Sequence, residues 1–170
     1  MKVIEKSSPP DLSGGFCYTD AMNTTNHNNA LDKYQRLVGT WELTGSHRLM
    51  PGIALTGKCV ISWLQEGGLL SINTIMDQKE IPEMVGVIGH DDKNNSENDT
   101  LLYFDVRGVS RIFEVSLNDK EWKYWRNAPH FSQRFTGTFQ DNGKTIVSLT
   151  ELCEDDINWI DDLKLTFTKK

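Results

Sequence analysis

At Gly39 the hydrophobic period of this chain changes, and nothing else in the sequence constrains its fold as strongly. Before that point Ala30, Leu31, Tyr34, Leu37 and Val38 recur with the spacing of one helical face. After it the pattern has a period of two. Phe135, Gly137 and Phe139 alternate with Arg134, Thr136 and Thr138, and Leu163, Leu165 and Phe167 alternate with Lys164 and Thr166. The stretch Leu37-Val38-Gly39-Thr40-Trp41 joins the two regimes. It predicts a short amphipathic helix over residues 29–38, capped by Asn28 or Asn29 and stopped by Gly39, that runs directly into a strand. A helix this short is marginal alone, so it is expected to pack over one end of the strand structure, with Trp41 filling that end.

Strands are predicted near 40–48, 55–64, 69–76, 85–91, 100–106, 109–117, 120–126, 132–140, 144–152 and 163–169. Turn chemistry separates them at Pro51-Gly52, Gly67-Gly68, the polar stretch 91–99, Asn118-Asp119 and Asp141-Asn142-Gly143. Short hairpins with period-two strands make an antiparallel meander, and about ten strands favour closure, which removes exposed edges. The expected fold is therefore all-β: an antiparallel up-and-down barrel of about ten strands with a short N-terminal helix closing one end. A β-sandwich is the alternative. Residues 77–84, with Pro82, read as a portal loop or a half-turn of helix. Residues 29–170 form one barrel domain in this reading, and residues 1–28, rich in Ser, Pro, Gly, Asn and Thr, a flexible tail or lid.

Composition removes several function classes. No run approaches the ~18 apolar residues of a spanning helix, and the first residues, MKVIEKSSPPDLSGG, carry no apolar signal core. Three cysteines, Cys17, Cys59 and Cys153, are odd in number and far apart. They read as reduced thiols in a cytoplasm. With no CxxC and no Cys/His cluster, neither a metal nor a cofactor is expected. The net charge is −6, and residues 151–162 hold six acids with no Lys or Arg. Nucleic acid is a poor partner for such a chain. The acidic run reads as a solvated loop between the last two strands. The segment 91–99 evokes a calcium loop but lacks its Gly and terminal Glu.

Strand alternation proposes candidate ligand contacts. Trp41, Leu43, Gly45 and His47 share a face of the first strand, and Gly57, Cys59, Ile61 and Trp63 share one in the second. Cys59 reads as a small core residue rather than a nucleophile. Tyr103 and Asp105 fall on one side of their strand, and Arg111, Phe113 and Val115 on one side of the next. Both faces of these two strands carry apolar groups, so pattern alone does not choose the inner one. The densest polar-aromatic constellation is Trp122, Tyr124, Trp125, Arg126, His130, Gln133 and Arg134. Aromatic walls with a few fixed donors give a small-molecule cavity its affinity and orientation, and an Arg fork suits a carboxylate or phosphate. The bland alternative is that Arg126 and Arg134 pair with acids across the outer face.

The segments LVGTW (37–41), CVISWLQEGGLL (59–70), VGVIGHD (85–91), LLYFDVRGVSRIFEVSL (101–117), WKYWRNAPHFSQRFTGTF (122–139) and LKLTFTK (163–169) occur in order. Together they resemble a family of small bacterial lipocalin-like proteins of unknown function, over roughly residues 30–170. The Gly-Thr-Trp start is shared with lipocalins, fatty-acid-binding proteins and nitrobindins. The resemblance implies a calycin-type barrel with a central cavity and Trp41 pointing inward, and it brings no activity. Nitrobindin resemblance implies haem on a histidine close to the C-terminus, whereas the last histidine here is His130.

The expected function is binding of a small hydrophobic or amphipathic molecule, with contacts drawn from His47, Trp63, Tyr103, Asp105, Arg111, Trp125, Arg126, His130 and Arg134. The alternative is a cofactor-independent cyclase or isomerase using His47, His130, Tyr103, Asp105 or Glu114 as acid–base groups. Haem binding, through His47 or His90, ranks below both. A homodimer through edge strands or the Tyr34 helix is a further possibility.

Overall fold

The computed structural model describes residues 29–64, 67–90 and 98–170. The 1–28 stretch and most of the polar 91–99 segment lie outside the described residues. The ten strands are β1 (Gly39–His47), β2 (Leu55–Leu64), β3 (Leu69–Met76), β4 (Met84–Gly89), β5 (Asp99–Asp105), β6 (Ser110–Leu117), β7 (Glu121–Arg126), β8 (Ser132–Gln140), β9 (Thr145–Cys153) and β10 (Ile160–Lys169). Each pairs antiparallel with its chain neighbours, and β1 pairs with β10, so the sheet closes on itself. Closure leaves the meander without a terminal edge strand.

The helix ahead of Gly39 is a 3₁₀ helix, Asn29–Leu37. Its buried residues are Leu31, Tyr34 and Leu37. A spacing of three places them in one line when the helix winds at three residues per turn. The helix lies across one barrel end and is pinned there by polar contacts. Tyr34 donates to Asp99 at 2.6 Å, the Trp63 indole donates to the Gln35 side chain at 2.7 Å, and Lys169 Nζ donates to the Arg36 carbonyl at 3.0 Å. Trp41 is fully buried, and its indole nitrogen donates to the Leu37 carbonyl at 2.8 Å, capping the helix from inside the barrel. Gly39 connects the two with φ +140°, and a Cβ there would lie 2.9 Å from Lys169 Cε.

Register fixes which residues face inward. Trp41 aligns with Cys59, Cys59 with Thr74, and Thr74 with Met84. Ile61 aligns with Ile72, and Tyr103 with Arg111. Near the helix the inward side chains are buried, among them Trp41, Leu43, Ile61, Leu70, Leu101 and Ile146. Toward the other end they are only half-buried: His47, Thr74, Tyr103, Arg111, Tyr124 and Gln133. The barrel is thus plugged at the helix end and open at the other. The loops rimming the open end are 48–54, 77–83, 106–109, 127–131 and 154–159. The 77–83 loop is bends and turns without a helix. Of the acidic run, only 154–159 is loop, because Glu151 lies in β9 and Asp161 and Asp162 lie in β10.

Candidate functional site

An aromatic column runs through the interior from the plugged end to the open one. Trp41 meets Phe167 edge-on at 6.4 Å, Phe167 meets Trp122 at 6.3 Å, and Trp122 meets Phe135 at 5.0 Å. Phe135 stacks on Tyr124 at 4.4 Å, Tyr124 meets Phe113 at 5.4 Å, and Phe113 meets Tyr103 at 6.1 Å. Edge-to-face and offset-stacked pairs at these distances fit the ring quadrupoles. Gly137 makes room for the column: a Cβ there would sit 2.8 Å from Ile146 and 3.1 Å from the Phe135 ring.

Positive charge gathers where the column reaches the open end. Arg111 carries its guanidinium 5.5 Å from the centre of the Tyr103 ring and 5.0 Å from that of Phe131. Arg126 aligns with the inward-facing Gln133 and so shares the inner face. Burial presses the Arg111 pKa down, and the positive fields of Arg126 and Arg107 add to that. Arg111 nonetheless stays cationic, since an unperturbed guanidinium titrates far above neutrality. Neither Arg111 nor Arg126 forms an ion pair among the described residues. Two buried polar atoms on inward residues also lack a hydrogen-bond partner, Gln133 Oε1 and Trp122 Nε1. Such orphans cost about 1–3 kcal/mol each when left unpaired.

Asp105 and Tyr103 are engaged otherwise. The buried Asp105 carboxylate accepts from the Tyr103 hydroxyl at 2.9 Å and from the Arg107 amide, Nε and Nη2 at 2.9, 3.2 and 2.6 Å. The Arg107 guanidinium above all, with Tyr103 assisting, holds the Asp105 carboxyl well below the usual carboxylate range. Burial and the bond to Asp105 push the Tyr103 hydroxyl up to about 12. The pair staples the tight β5–β6 turn, where Gly108 adopts φ +78°.

The 122–134 constellation divides. Strand alternation sends Trp122, Tyr124 and Arg126 inward and Trp125 outward. Arg134 also lies outside, clamping Glu151 with two contacts of 2.6 Å while its guanidinium sits 4.2 Å over the Trp159 ring. That is the cross-strand acid pair weighed as its bland alternative, in a bidentate form. His130, 83% exposed, occupies a left-handed turn and is tied to Asp156 through its amide at 2.7 Å and its ring at 3.1 Å. His47 is inward, its Nδ1 accepting from the Leu49 amide at 3.1 Å and its Nε2 lying 3.5 Å from Asp162. Trp63 is inward at the plugged end. Of the nine sequence candidates, Tyr103, Asp105, Arg111 and Arg126 converge on the open end. His47 lies on the same rim and Trp125 borders Arg111 and Arg126 from outside the barrel, whereas Trp63, His130 and Arg134 stand apart.

Besides Tyr124 and Gln133 of the 122–134 constellation, three residues absent from the nine candidates belong to the region: Arg107, Phe113 and Phe131. Phe113 was signalled by its place two residues after Arg111 on one strand face. Arg107 and Phe131 lie in turns, where no periodicity points inward.

The three described histidines are each engaged with neighbouring groups of the protein. His47 has both ring nitrogens engaged locally, His90 contacts Asp99 at 2.7 Å, and His130 lies outside the barrel. Among the described residues no group of three His, Cys, Asp or Glu side chains converges to hold a metal ion.

The fold and site thus define a closed ten-stranded antiparallel barrel, plugged at one end and cationic and aromatic at the other. It is similar in fold to a solved protein, Rv2717c from M. tuberculosis, with a TM-score of 0.61 and 12% identity over 84% of this chain and 98% of that one. No protein-family model matches the chain, and no curated protein matches it in sequence.

Proposed function

We propose that this protein is a lipocalin-like binder of a small amphipathic molecule with an acidic end, held at the open end of the barrel. The observation that carries the reading is the pair Arg111 and Arg126: two inward cations on neighbouring strands, without an ion-pair partner among the described residues, at the end of an aromatic column. Like charges brought together in a partly desolvated place repel, and a bound anion relieves them. Gln133 beside Arg126 offers a further polar contact, and Phe113, Tyr124 and Phe131 offer apolar wall. A ligand burying about 250 Å² of apolar surface gains ~6 kcal/mol at ~25 cal/mol per Å², and charge-assisted hydrogen bonds add about 1.5–3 kcal/mol. After immobilisation costs, micromolar affinity is within reach.

Binding is favoured over acid–base chemistry by what Asp105 and Tyr103 already do. A carboxylate filled by four donors and held ionised is a weak base, and a phenol raised to about 12 is a weak acid near neutrality. The free, buried thiols of Cys59 and Cys153 suit a reducing compartment such as a cytoplasm.

Titration calorimetry with a medium-chain carboxylate tests the reading. Arg111→Gln and Arg126→Gln should each weaken binding by about tenfold or more, equivalent to ~1.4 kcal/mol. Neither should lower thermal stability, because each relieves repulsion in the free protein. Wild-type affinity in both variants would remove the arginine pair as the anchor.

A further inference from the structure

The barrel wall has a gap beside the two arginines. The β6–β7 ladder stops at Glu114–Trp125. Beyond it, Ser110, Arg111, Ile112 and Phe113 remain paired to β5 but have no partner on β7. The chain after Arg126 turns away instead: the Ser132 hydroxyl binds both the amide and the carbonyl of Ala128, and the Phe131 amide returns to the Ala128 carbonyl. At about 3.3 Å per residue the unpaired edge is roughly 13 Å long. A groove of about 660 Å³ lies over it, lined on the outside by Leu102, Phe104, Ile112 and Trp125 with the carboxylate Glu114 among them, and at the gap by Arg111 and Arg126.

Three features fix what this groove suits. Its floor is apolar and open, with Leu102, Phe104 and Ile112 exposed by 39, 47 and 67%. Leu102 and Ile112 face each other across the β5–β6 ladder, forming one outward row. Apolar residues continue past Phe104 into an adjoining hollow of about 320 Å³, with Ile75, Val85 and Val106 along its walls. Contiguous exposed apolar surface of this kind marks a binding site more often than ordinary surface. The charge at the gap is positive and forms no ion pair among the described residues, so it complements an anion. Inside the gap the stacked Tyr124–Phe135 pair and Phe113 occupy the lumen, leaving the outer groove as the apolar path that leads away from the arginines.

We propose that the occupant is a free long-chain carboxylate whose head lies in the β6–β7 gap on Arg111 and Arg126 and whose apolar chain runs outside the barrel, along Ile112, Leu102 and Phe104. This rests on the arginine-anchored binding proposed above and adds where the chain goes. It differs from enclosure in a central cavity, because the barrel wall itself is the binding surface and selectivity for chain length is set on the outside.

The test compares hexanoate with tetradecanoate, both below their micelle-forming concentrations, on wild type, Ile112→Glu and Ile112→Thr. Wild type should bind more tightly by about two- to fourfold for each methylene the groove covers. Ile112→Glu should weaken tetradecanoate at least about tenfold and weaken hexanoate by less, because the shorter acid covers less of the Ile112, Leu102 and Phe104 row. Ile112→Thr, which keeps the strand preference without the charge, should fall between. Tetradecanoate affinity unchanged in Ile112→Glu would overturn the outer path while leaving the anchor standing, provided Arg111→Gln still weakens both acids. Wild-type binding of both acids by Arg111→Gln would instead remove the anchor and this inference with it. A wild-type dimer that Ile112→Glu splits, with acid affinity unmoved, would reassign the groove to a second copy of the chain.

Discussion

Single residues carry unequal weight in this barrel, and the heaviest polar one is Asp99. Its buried carboxylate receives Tyr34 at 2.6 Å, Lys33 at 2.7 Å and His90 at 2.7 Å, so it ties the N-terminal helix to the barrel end. Removing one member of such a set leaves the others desolvated without a partner. Asp99→Ala should therefore cost about 3–5 kcal/mol in urea denaturation, well beyond the effect of an ordinary surface acid. Trp41→Ala should cost a similar ~3–5 kcal/mol, since it empties the plugged end. Cys59 behaves as a packing residue: burial pushes its thiol up to about 11. A thiol reagent at pH 8 should leave Cys59 unmodified in the folded protein and react with it after denaturation. The sequence pointed to Trp41 through Gly-Thr-Trp and to Cys59 through strand alternation. Asp99 closes a run of polar residues and reads there as one more turn acid, because its three partners lie on other elements or beyond the turn.

Among the elements, the strands were legible almost to their ends, since period-two alternation and turn residues are local properties. The helix was legible in place but not in winding: a buried line at 31, 34 and 37 satisfies either an α-helical face or a 3₁₀ one, and packing on the barrel decides. Inner and outer faces of β5 and β6 were not legible. Leu102, Phe104 and Ile112 are as apolar as Leu101 and Phe113, and only closure of the barrel assigns them outward. The β6–β7 gap was likewise invisible, because an unpaired edge depends on where the 127–131 turn carries the chain. The β5–β6 turn gives a prediction at this scale. Asp105 has a depressed folded pKa, so its contribution is fully present above the unfolded carboxylate value of about 3.9 and is lost as pH falls from there through the folded value. Arg107 is half-exposed, which limits the strength of the staple. Asp105→Asn should be less stable than wild type by about 1–2 kcal/mol at pH 7, and the difference should shrink below about pH 4 when denaturation is repeated in acid.

As a whole, the molecule is an acidic protein that gathers two arginines, Arg111 and Arg126, at one place in its barrel wall. Its net charge is −6, yet among the described residues Arg111 and Arg126 form no ion pair, the nearby Asp105 being committed to Arg107 and Glu114 accepting from Asn98 at 3.0 Å. Closure of the sheet, the helix plug and the aromatic column leave the open end and the β6–β7 gap as the ways into the barrel wall among the described residues. The central claim is that recognition begins with the acidic head. Calorimetric titration of decanoate against decanol, at equal chain length, isolates that head. The account predicts tighter binding of the carboxylate by about tenfold or more, with the preference lost in the Arg111→Gln Arg126→Gln double variant. Equal affinity for the acid and the alcohol in the wild-type protein would contradict it.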